Sequence, residues 1–196
     1  INAHPDVIFT QTDAATAAVL FQNFKELDNL AIPFVGTDVT GVDQYLKAIT
    51  YPVANAHLTS VYGTSVTGQA TTEFNSVFAA QFGSSAQPLA NANYAYDAVI
   101  SLALAVDKAN STSGTAINAA LGSVSSPPGT QCYTYKDCLN LLKAGTKINY
   151  DGASGDLNYN KYNNVFGPYG AFQVNLSGQE QQVMLLSAPE LAAATP

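Results

Sequence analysis

The spacing of apolar residues in the first part of the chain predicts strands that alternate with helices. A short apolar run at residues 7–10 predicts a strand, and residues 16–28 carry apolar side chains at the three- and four-residue spacing of a helix. A second strand is predicted at 34–36, a helix at 42–49 and a third strand at 56–62. Because such an alternation is typical of parallel sheets, we predict an α/β fold with a Rossmann-like parallel sheet.

The second part of the chain is predicted to be mainly helical. Helices are expected at residues 71–82, 94–109, 115–121 and 136–144. The second of these is apolar on nearly every side, so it requires covering elements around most of its circumference.

The last part of the chain is predicted to contain a hairpin and a strand. Residues 148–159 predict the hairpin, with Asp151-Gly152 and Gly155-Asp156 as its turn dipeptides. A strand is expected over 166–174, and the tail from Ser187 is expected to be frayed.

The composition indicates a globular chain that does not bind nucleic acid. Of 196 residues, 47% are apolar, which allows one large domain or two small ones. The net charge is -7 and all seven positive charges are lysines, whereas phosphate backbones require clustered positive charge. No apolar run approaches the roughly 18 residues of a membrane span. No secretion signal opens the chain and residues 5–9 enter a strand abruptly, so we expect a fragment or a processed chain whose signal was removed or lies upstream.

Two cysteines lie six positions apart, at Cys132 and Cys138, with no second pair and no histidine nearby to complete a zinc site. We predict a disulfide that closes a small loop, and the alternative is a pair of unpaired buried thiols. A disulfide would imply an oxidising compartment.

No group of residues in the sequence combines a nucleophile, a base and an orienting partner, so we predict no enzymatic activity. The two histidines, His4 and His57, stand in no metalloprotease or deaminase spacing, and no glycine-rich phosphate cradle occurs. Residues 151–160 are rich in side-chain oxygens, but they lack the spacing and the final glutamate of a calcium loop. We therefore predict no cofactor and no metal, and interpret this segment as part of the hairpin.

Polar residues follow the first two predicted strands at the point where each strand ends. Thr12 and Asp13 follow the first strand and open a helix, and Asp38 follows the second strand. Open α/β sheets bind ligands at the carboxyl ends of their strands, so these three residues are candidate ligand contacts. The alternative for Thr12 and Asp13 is a helix cap, and the alternative for Asp38 is a loop or cap residue.

Three stretches of the sequence together resemble type I periplasmic binding proteins, specifically the branched-chain amino acid (leucine/isoleucine/valine) substrate-binding proteins of ABC transporters. The first runs from Pro5 to Gly36, the second is Tyr94-Ala-Tyr-Asp-Ala-Val99, and the most specific is the cysteine loop and hairpin from Cys132 to Asn158. The resemblance implies two α/β lobes joined by a hinge, with a ligand between them. Because the family's N-terminal strands are absent, the chain corresponds to its C-terminal half.

The resemblance assigns parts of the chain to lobes. Residues 1–93 correspond to the later half of lobe two and 94–165 to lobe-one helices and hairpin. Residues 166–196 correspond to the hinge return and the final lobe-two strand.

The resemblance also implies roles for the candidate residues. Asp38 falls where amino acid binders place the acidic group that pairs with the ligand's ammonium. Asp13 falls where some relatives use an aromatic residue to cover the ligand. Tyr94 lies near the family's pocket aromatic just after the hinge, and the alternative for it is a core tyrosine at a helix start.

The implied function is that of an extracytoplasmic solute-binding component of an ABC transporter, which binds an amino acid or a similar small polar ligand. The implied partners are the ligand, a membrane permease and the missing N-terminal half, through which the receptor could be lipid-anchored. The alternative is a ligand-sensing ectodomain of a signalling receptor with the same fold.

Overall fold

The computed structural model describes residues 5–26, 31–64, 66–88 and 91–194. The strands in these ranges are β1 Ile8–Phe9, β2 Phe34–Gly36, β3 Leu58–Gly63, β4 Thr130–Cys132, β5 Ile148–Gly152, β6 Gly155–Asp156, β7 Tyr169–Val174 and β8 Glu180–Leu186. The α-helices are α1 Ala14–Glu26, α2 Asp43–Ile49, α3 Tyr51–His57, α4 Gln69–Phe82, α5 Ala92–Ala109, α6 Gly114–Leu121, α7 Tyr135–Lys143 and α8 Ala188–Ala194. Short 3-10 turns lie at Asp38–Thr40 and Gly122–Val124. His4 and the predicted end of the first helix, residues 27–28, lie outside the described residues.

The chain divides into two compact units. The first comprises Ile1–Thr64 with Pro168–Pro196, and the second comprises Ser65–Gly167. These units are defined by contacts within the chain, and the assignment of residues 1–93, 94–165 and 166–196 to lobes remains a prediction.

The first unit contains a five-stranded sheet with the order β1-β2-β3-β7-β8. β1, β2 and β3 are parallel, which confirms the predicted α/β fold with parallel strands, whereas β7 and β8 are antiparallel additions. All seven residues of β8, at the edge of this sheet, are exposed, among them Val183, Met184 and Leu185.

The core of the first unit forms where α1 packs on the parallel strands. The ring of Phe34 on β2 is 1% exposed and lies 4.5 Å from the ring of Phe21 and 5.2 Å from that of Phe24. These two α1 residues are three positions apart, so they lie on the same face of the helix. The buried apolar residues of this cluster are Ala17, Phe21, Phe34, Tyr45, Leu46, Ile49, Ala54, Leu58 and Val174.

The second unit has its own core, where α5 packs with α6 and α7 beside the small sheet β4-β5-β6. Its buried apolar residues are Leu104, Ala105, Ala120, Val124, Cys132, Cys138, Ile148, Tyr150 and Leu157. The predicted disulfide is confirmed, because Cys132 at the end of β4 is bonded to Cys138 on α7 with an S–S distance of 2.05 Å.

Among the sequence predictions that differ from the structure, the strand expected over 166–174 begins at Tyr169. The predicted strand at 56–62 begins at Leu58, because Tyr51–His57 forms α3, whose Pro52 occupies the first turn where a missing N–H costs no helical hydrogen bond. The hairpin turn is Ala153-Ser154, so both predicted turn dipeptides are strand ends. The tail after Ser187 forms α8, and the carboxylate of Glu190 accepts a hydrogen bond from the Ser187 backbone N–H at 2.8 Å.

None of the helices in the described ranges has the length and apolar character that a membrane crossing requires.

Candidate functional site

The carboxyl ends of β1 and β2 lie side by side in the sheet of the first unit. Ile8 pairs with Phe34 and Phe9 with Val35, so Thr10 is level with Gly36. The Thr10 backbone N–H donates to the carbonyl oxygen of Val35 at 2.8 Å, which continues this register beyond β1. The segments that carry the predicted site residues Thr12, Asp13 and Asp38 therefore leave the sheet at the same edge.

Asp13 caps α1. Its carboxylate accepts hydrogen bonds from the backbone N–H groups of Ala15 at 2.9 Å and Thr16 at 3.1 Å, and from the Thr16 hydroxyl at 2.7 Å. The hydrogen bond from the Thr16 hydroxyl is the main reason why the pKa of Asp13 is lowered. The helix-cap alternative named for Asp13 is thus seen in the structure.

The 3-10 turn that begins with Asp38 is anchored by its last residue, Thr40. The fully buried Thr40 hydroxyl lies 2.8 Å from the Ser60 hydroxyl on β3 and donates to the Thr37 carbonyl oxygen at 2.7 Å. Gly36 permits this arrangement, because a Cβ atom at that position would overlap the Thr40 side chain. The backbone that presents Asp38 is consequently held against both β2 and β3.

The carboxylate of Asp38 is exposed, and within the described ranges it forms no hydrogen bond or ion pair. It differs in this respect from Asp13, whose oxygens already hold three donors. Asp38 can therefore accept hydrogen bonds from a partner without giving up a contact in the protein.

Hydroxyl groups surround the same edge of the sheet. The Thr12 hydroxyl lies 3.5 Å from the phenol oxygen of the buried Tyr45, which is at the outer limit of a hydrogen bond. The enclosed hydroxyls of Thr10 and Thr37 have no protein partner among the described residues. This edge is therefore rich in unsatisfied hydrogen-bonding groups.

Tyr94 lies in the second unit, on the first turn of α5, with 43% of its surface exposed. Its two interpretations, a ligand contact and a core tyrosine at a helix start, both remain predictions. The structure places Thr12, Asp13 and Asp38 after the carboxyl ends of neighbouring strands in the first unit, whereas Tyr94 belongs to the second.

A buried carboxylate one turn after Tyr94 was not identified from the sequence. Asp97 is 1% exposed and accepts four hydrogen bonds: from the Tyr150 phenol at 2.7 Å, the Ala153 N–H at 2.9 Å, the Ser154 N–H at 2.6 Å and the Ser154 hydroxyl at 2.5 Å. A Cβ atom at Gly152 would lie only 2.5 Å from this carboxylate, so the hairpin backbone approaches it closely. Burial and the nearby carboxylate raise the pKa of Tyr150. The only signal in the sequence was a carboxylate in an otherwise apolar helix.

Two more carboxylates face each other across the hairpin. Asp151 on β5 pairs with Asp156 on β6 in the antiparallel register. Burial raises the pKa of Asp151 to about 6, and the charge and hydrogen bond of Asp156 contribute to the same direction. No group of three or more His, Cys, Asp or Glu residues in the described part of the chain is arranged to hold a metal ion.

Solved structures of other proteins have a similar fold over most of this chain. The structure of a leucine binding protein LivK from Thermotoga maritima matches with a TM-score of 0.58 at 14% identity, over 95% of this chain and 46% of that protein. The branched-chain amino acid transporter substrate binding protein LivJ from Streptococcus pneumoniae, in complex with isoleucine, matches with a TM-score of 0.55 at 16% identity, over 93% of this chain and 44% of that one. The chain thus spans a little under half the length of these structural relatives.

Sequence comparison gives the family. No curated protein sequence matches the chain. The family described as "Periplasmic binding protein" matches residues 1–175, which is most of the 196 residues. The chain therefore belongs to the periplasmic binding protein family, a family of binding proteins and not of enzymes, and has the type I fold of its branched-chain amino acid-binding members.

Proposed function

We propose that this chain is part of the extracytoplasmic solute-binding component of an ABC transporter, and that its ligand is an amino acid or a similar small polar compound. The observation that carries the proposal is the uncommitted carboxylate of Asp38 at the carboxyl edge of the parallel strands. Ligands of open α/β folds bind at such an edge, so its position is suited to ligand contact.

An ammonium group is the chemical complement of Asp38. The Thr40 contacts hold the backbone of the 3-10 turn, so little backbone freedom is lost when a ligand binds to Asp38. Asp38 would pair with the ligand's ammonium group when both lose water, and the pairing would offset the cost of desolvation. The two structural relatives are named for leucine binding and branched-chain amino acid transport, which supports a zwitterionic ligand here as well.

The other predicted residues have secondary roles in this proposal. Thr12, next to the Asp13 cap, would supply a hydroxyl to the ligand, and Tyr94, with its exposed ring, is proposed as a further ligand contact. Asp13 would act mainly by fixing the start of α1 and with it the position of Thr12.

The proposed partners are a membrane permease and the remaining half of the same receptor. Relatives of about twice the length support the second partner. The Cys132–Cys138 disulfide supports an extracytoplasmic location, because disulfides persist in oxidising compartments.

Calorimetric titration of the full-length receptor with a panel of amino acids and uncharged amides tests the proposal. In Asp38→Asn, affinity for the preferred amino acid should fall roughly a hundredfold or more, because the ammonium loses a charged partner. Thermal stability should hardly change, since the carboxylate makes no contact within the described part of the chain.

Asp13→Asn is the matched control. Asparagine is as good a helix cap as aspartate, so this variant removes a negative charge from the same edge while the helix start is preserved. We expect its affinity to stay close to that of the parent. Unchanged affinity in Asp38→Asn would remove Asp38 from the site, and binding of uncharged ligands alone by the parent would replace the amino acid with another solute class.

A further inference from the structure

Tyr62, near the carboxyl end of β3, lies beside the turn that presents Asp38. Its ring lies against Gly41, the residue that directly follows the 3-10 turn Asp38–Thr40. A Cβ atom built on Gly41 would lie 3.0 Å from Tyr62 Cε1 and 3.4 Å from the phenol oxygen. The ring therefore fills the space next to the Gly41 backbone, and it limits how far the end of the turn can move.

Two contacts hold the ring of Tyr62 in this position. The ring stacks on that of Phe172 on β7, with centroids 4.3 Å apart and planes inclined by 11°. The phenol donates a hydrogen bond to the carboxylate of Glu180, the first residue of β8. Burial and this hydrogen bond raise the pKa of Tyr62, so the phenol keeps its proton at neutral pH and remains a donor.

The turn after β2 is thus supported at two successive residues. The Thr40 hydroxyl lies 2.8 Å from that of Ser60, and Gly41 lies against Tyr62, two positions further along β3. Residues two apart on a strand project from the same face, so both supports belong to one face of the sheet. Glu180 is close to the same point, since its Oε1 atom would lie 3.5 Å from a Cβ atom at Gly41.

The Tyr62–Glu180 pair lies apart from the main core of the first unit. The buried cluster of that unit includes neither Tyr62 nor Phe172, and Glu180 is exposed. A hydrogen bond between partly exposed groups contributes little to the stability of a fold. Its position beside the Asp38 turn gives the pair a different importance, because a binding group needs neighbours that fix its own supports.

We propose that Tyr62 is a positioning residue for the ligand site: held by Phe172 and Glu180, it supports the turn that presents Asp38 and so sets the affinity for the ligand's ammonium group. This inference rests on the proposed function, because it takes Asp38 as a ligand contact. The effect of Tyr62 on affinity should consequently depend on the carboxylate of Asp38.

Amide hydrogen exchange in the ligand-free, full-length receptor tests the support of the turn without reference to any ligand. The Gly41 N–H donates to the Asp38 carbonyl oxygen at 3.3 Å, and the Thr40 N–H donates to the Thr37 carbonyl oxygen at 3.0 Å, so both amides report on the closed turn. In Tyr62→Leu, which lacks the aromatic ring, we expect both amides to exchange about tenfold faster.

Tyr169→Leu is the matched control for this experiment. It makes the same substitution in the same sheet, on β7, where Tyr169 pairs with Gly63 and Leu186. Exchange of the two turn amides should stay as in the parent. If Tyr62→Leu fails to fold, Gly41→Ala tests the same contact, because its methyl group would press on the ring while its φ of -82° suits alanine.

A double-mutant cycle tests whether Tyr62 acts through Asp38. The preferred amino acid is titrated into the parent, Tyr62→Leu, Asp38→Asn and the double variant. We expect Tyr62→Leu to lower the affinity about tenfold in the parent and less than about twofold in the Asp38→Asn background, where the contact with the ammonium is already weakened. Equal factors in both backgrounds would overturn the proposal, since a general structural effect would not depend on Asp38.

Conservative variants examine the hydrogen bond to Glu180. Glu180→Gln keeps an acceptor for the phenol and should bind the amino acid within about twofold of the parent, whereas Glu180→Ala should lose about threefold. Tyr62→Phe keeps the ring that stacks on Phe172 but lacks the donor, so it should resemble Glu180→Ala. Equal affinities of Glu180→Ala and the parent would remove Glu180 from the proposal.

Failure of the proposed function is distinguishable from failure of this inference. Unchanged affinity in Asp38→Asn would contradict the ligand contact itself, whatever the exchange rates of the turn. Lowered affinity in Asp38→Asn, together with unchanged exchange of the Thr40 and Gly41 amides in Tyr62→Leu, would contradict the positioning role of Tyr62 alone.

Discussion

Three aspartates show how residues of one type take different tasks from their surroundings. Asp13 binds the free N–H groups at the start of α1, and Asp38 presents an exposed carboxylate at the end of β2. Asp97 is buried and is held by two backbone N–H groups and two hydroxyls, with no lysine paired to it in the described ranges. A carboxylate held only by neutral donors is stable inside a protein when nearly every lone pair is satisfied.

Removal of the Asp97 carboxylate should destabilise the second unit strongly. Asp97→Ala would leave the Tyr150 phenol and the N–H groups of Ala153 and Ser154 without an acceptor, at a cost on the order of 3–5 kcal/mol. Urea denaturation measures the change in the free energy of unfolding. The control is Asp107→Ala on the same helix, which removes one exposed hydrogen bond from Tyr135 and should cost less than about 1 kcal/mol. Similar losses in both variants would contradict the role given to Asp97.

The absence of a side chain at Gly36 should be necessary for the position of the Asp38 turn. Gly36→Ala places a methyl group into the Thr40 side chain, so we expect a loss of about 1–3 kcal/mol in the free energy of unfolding and weaker ligand binding through displacement of the Asp38 turn. Gly122→Ala is the control, because open space surrounds that position and its φ of -63° suits alanine. The measurements are urea denaturation and ligand titration, and an unaffected Gly36→Ala variant would show that the turn is not fixed by Thr40.

Sequence reasoning located residues whose position depends on the local pattern of the chain. The cap at Asp13 follows from its position directly before a helical pattern, and Asp38 follows from a strand end. Asp97 could not be assigned in this way, because its donors lie 53 to 57 positions away in a hairpin whose contact with α5 depends on the fold. The relation of Tyr94 to a ligand remains a prediction for the same physical reason.

At the scale of elements, the β5–β6 hairpin brings like charges together. Asp151 and Asp156 are directly opposite each other, and Asp97 on α5 adds a third carboxylate that faces the same hairpin. Like charges at paired positions of a hairpin disfavour it. Burial is the largest cause of the raised pKa of Asp151, and the charge of Asp156 adds to it.

The stability of the protein should therefore depend on the protonation of Asp151. Its pKa is raised to about 6 in the folded chain, whereas an unfolded aspartate has a pKa of about 3.9, so the folded chain binds a proton more tightly between these values. Stability contributed by this proton is present below about pH 4 and is lost as the pH rises towards 6. We expect Asp151→Asn to be more stable than the parent at pH 7 by about 1 kcal/mol, after allowance for solvent screening, with the difference vanishing near pH 4. Urea denaturation across this pH range is the measurement.

Asp156→Asn and the double variant complete a thermodynamic cycle. Because each single change already removes the repulsion between the two carboxylates, the gains at pH 7 should not add. Additive gains would show that the two side chains act independently and that Asp156 does not influence Asp151.

Length alone did not decide which elements were predictable, because the seven-residue strand β8, whose sequence does not alternate, was missed. The helices α4, α5, α6 and α7 were predicted to within two residues at each end, because each has enough turns for its apolar spacing to be recognised. The two-turn helix α3 and the three-residue strand β4 were missed, since so few residues show neither period clearly. The hairpin was predicted correctly as an element, although its turn is Ala153-Ser154, which lies between the two predicted turn dipeptides.

At the scale of the whole molecule, each unit contains a separate apolar cluster. The first cluster includes Phe34 and Leu58, and the second includes Leu104 and Ile148. A substitution in one cluster should therefore lower the stability mainly of its own unit, as expected for parts of a protein that open as separate cooperative units.

Native-state hydrogen exchange can test this separation. Tyr150→Phe removes one hydrogen bond to Asp97 and should lower amide protection in α5, β5 and β6 by about tenfold, while protection in β1 to β3 stays unchanged. The converse pattern is expected for Gly36→Ala. A uniform loss across the molecule in either variant would show that the two units open together.

The parallel sheet followed from the alternation of strands and helices, but the antiparallel addition did not. β3 pairs with β7 across more than a hundred intervening residues, and nothing in the local sequence of either strand specifies that partner. The family resemblance indicated that the chain corresponds to about half of its relatives' length, which periodicity alone did not.

The exposed edge strand β8 should affect the solubility of a protein that consists of residues 1–196. Four consecutive apolar residues, Val183 to Leu186, stand on a strand whose outer backbone groups are unpaired in the described sheet. Such a strand is a template for intermolecular pairing, so preparations of the isolated segment should tend towards aggregation as they are concentrated. A lysine at Val183 would act as a gatekeeper against that process, and it offers a direct route to a more soluble protein for crystallisation or spectroscopy.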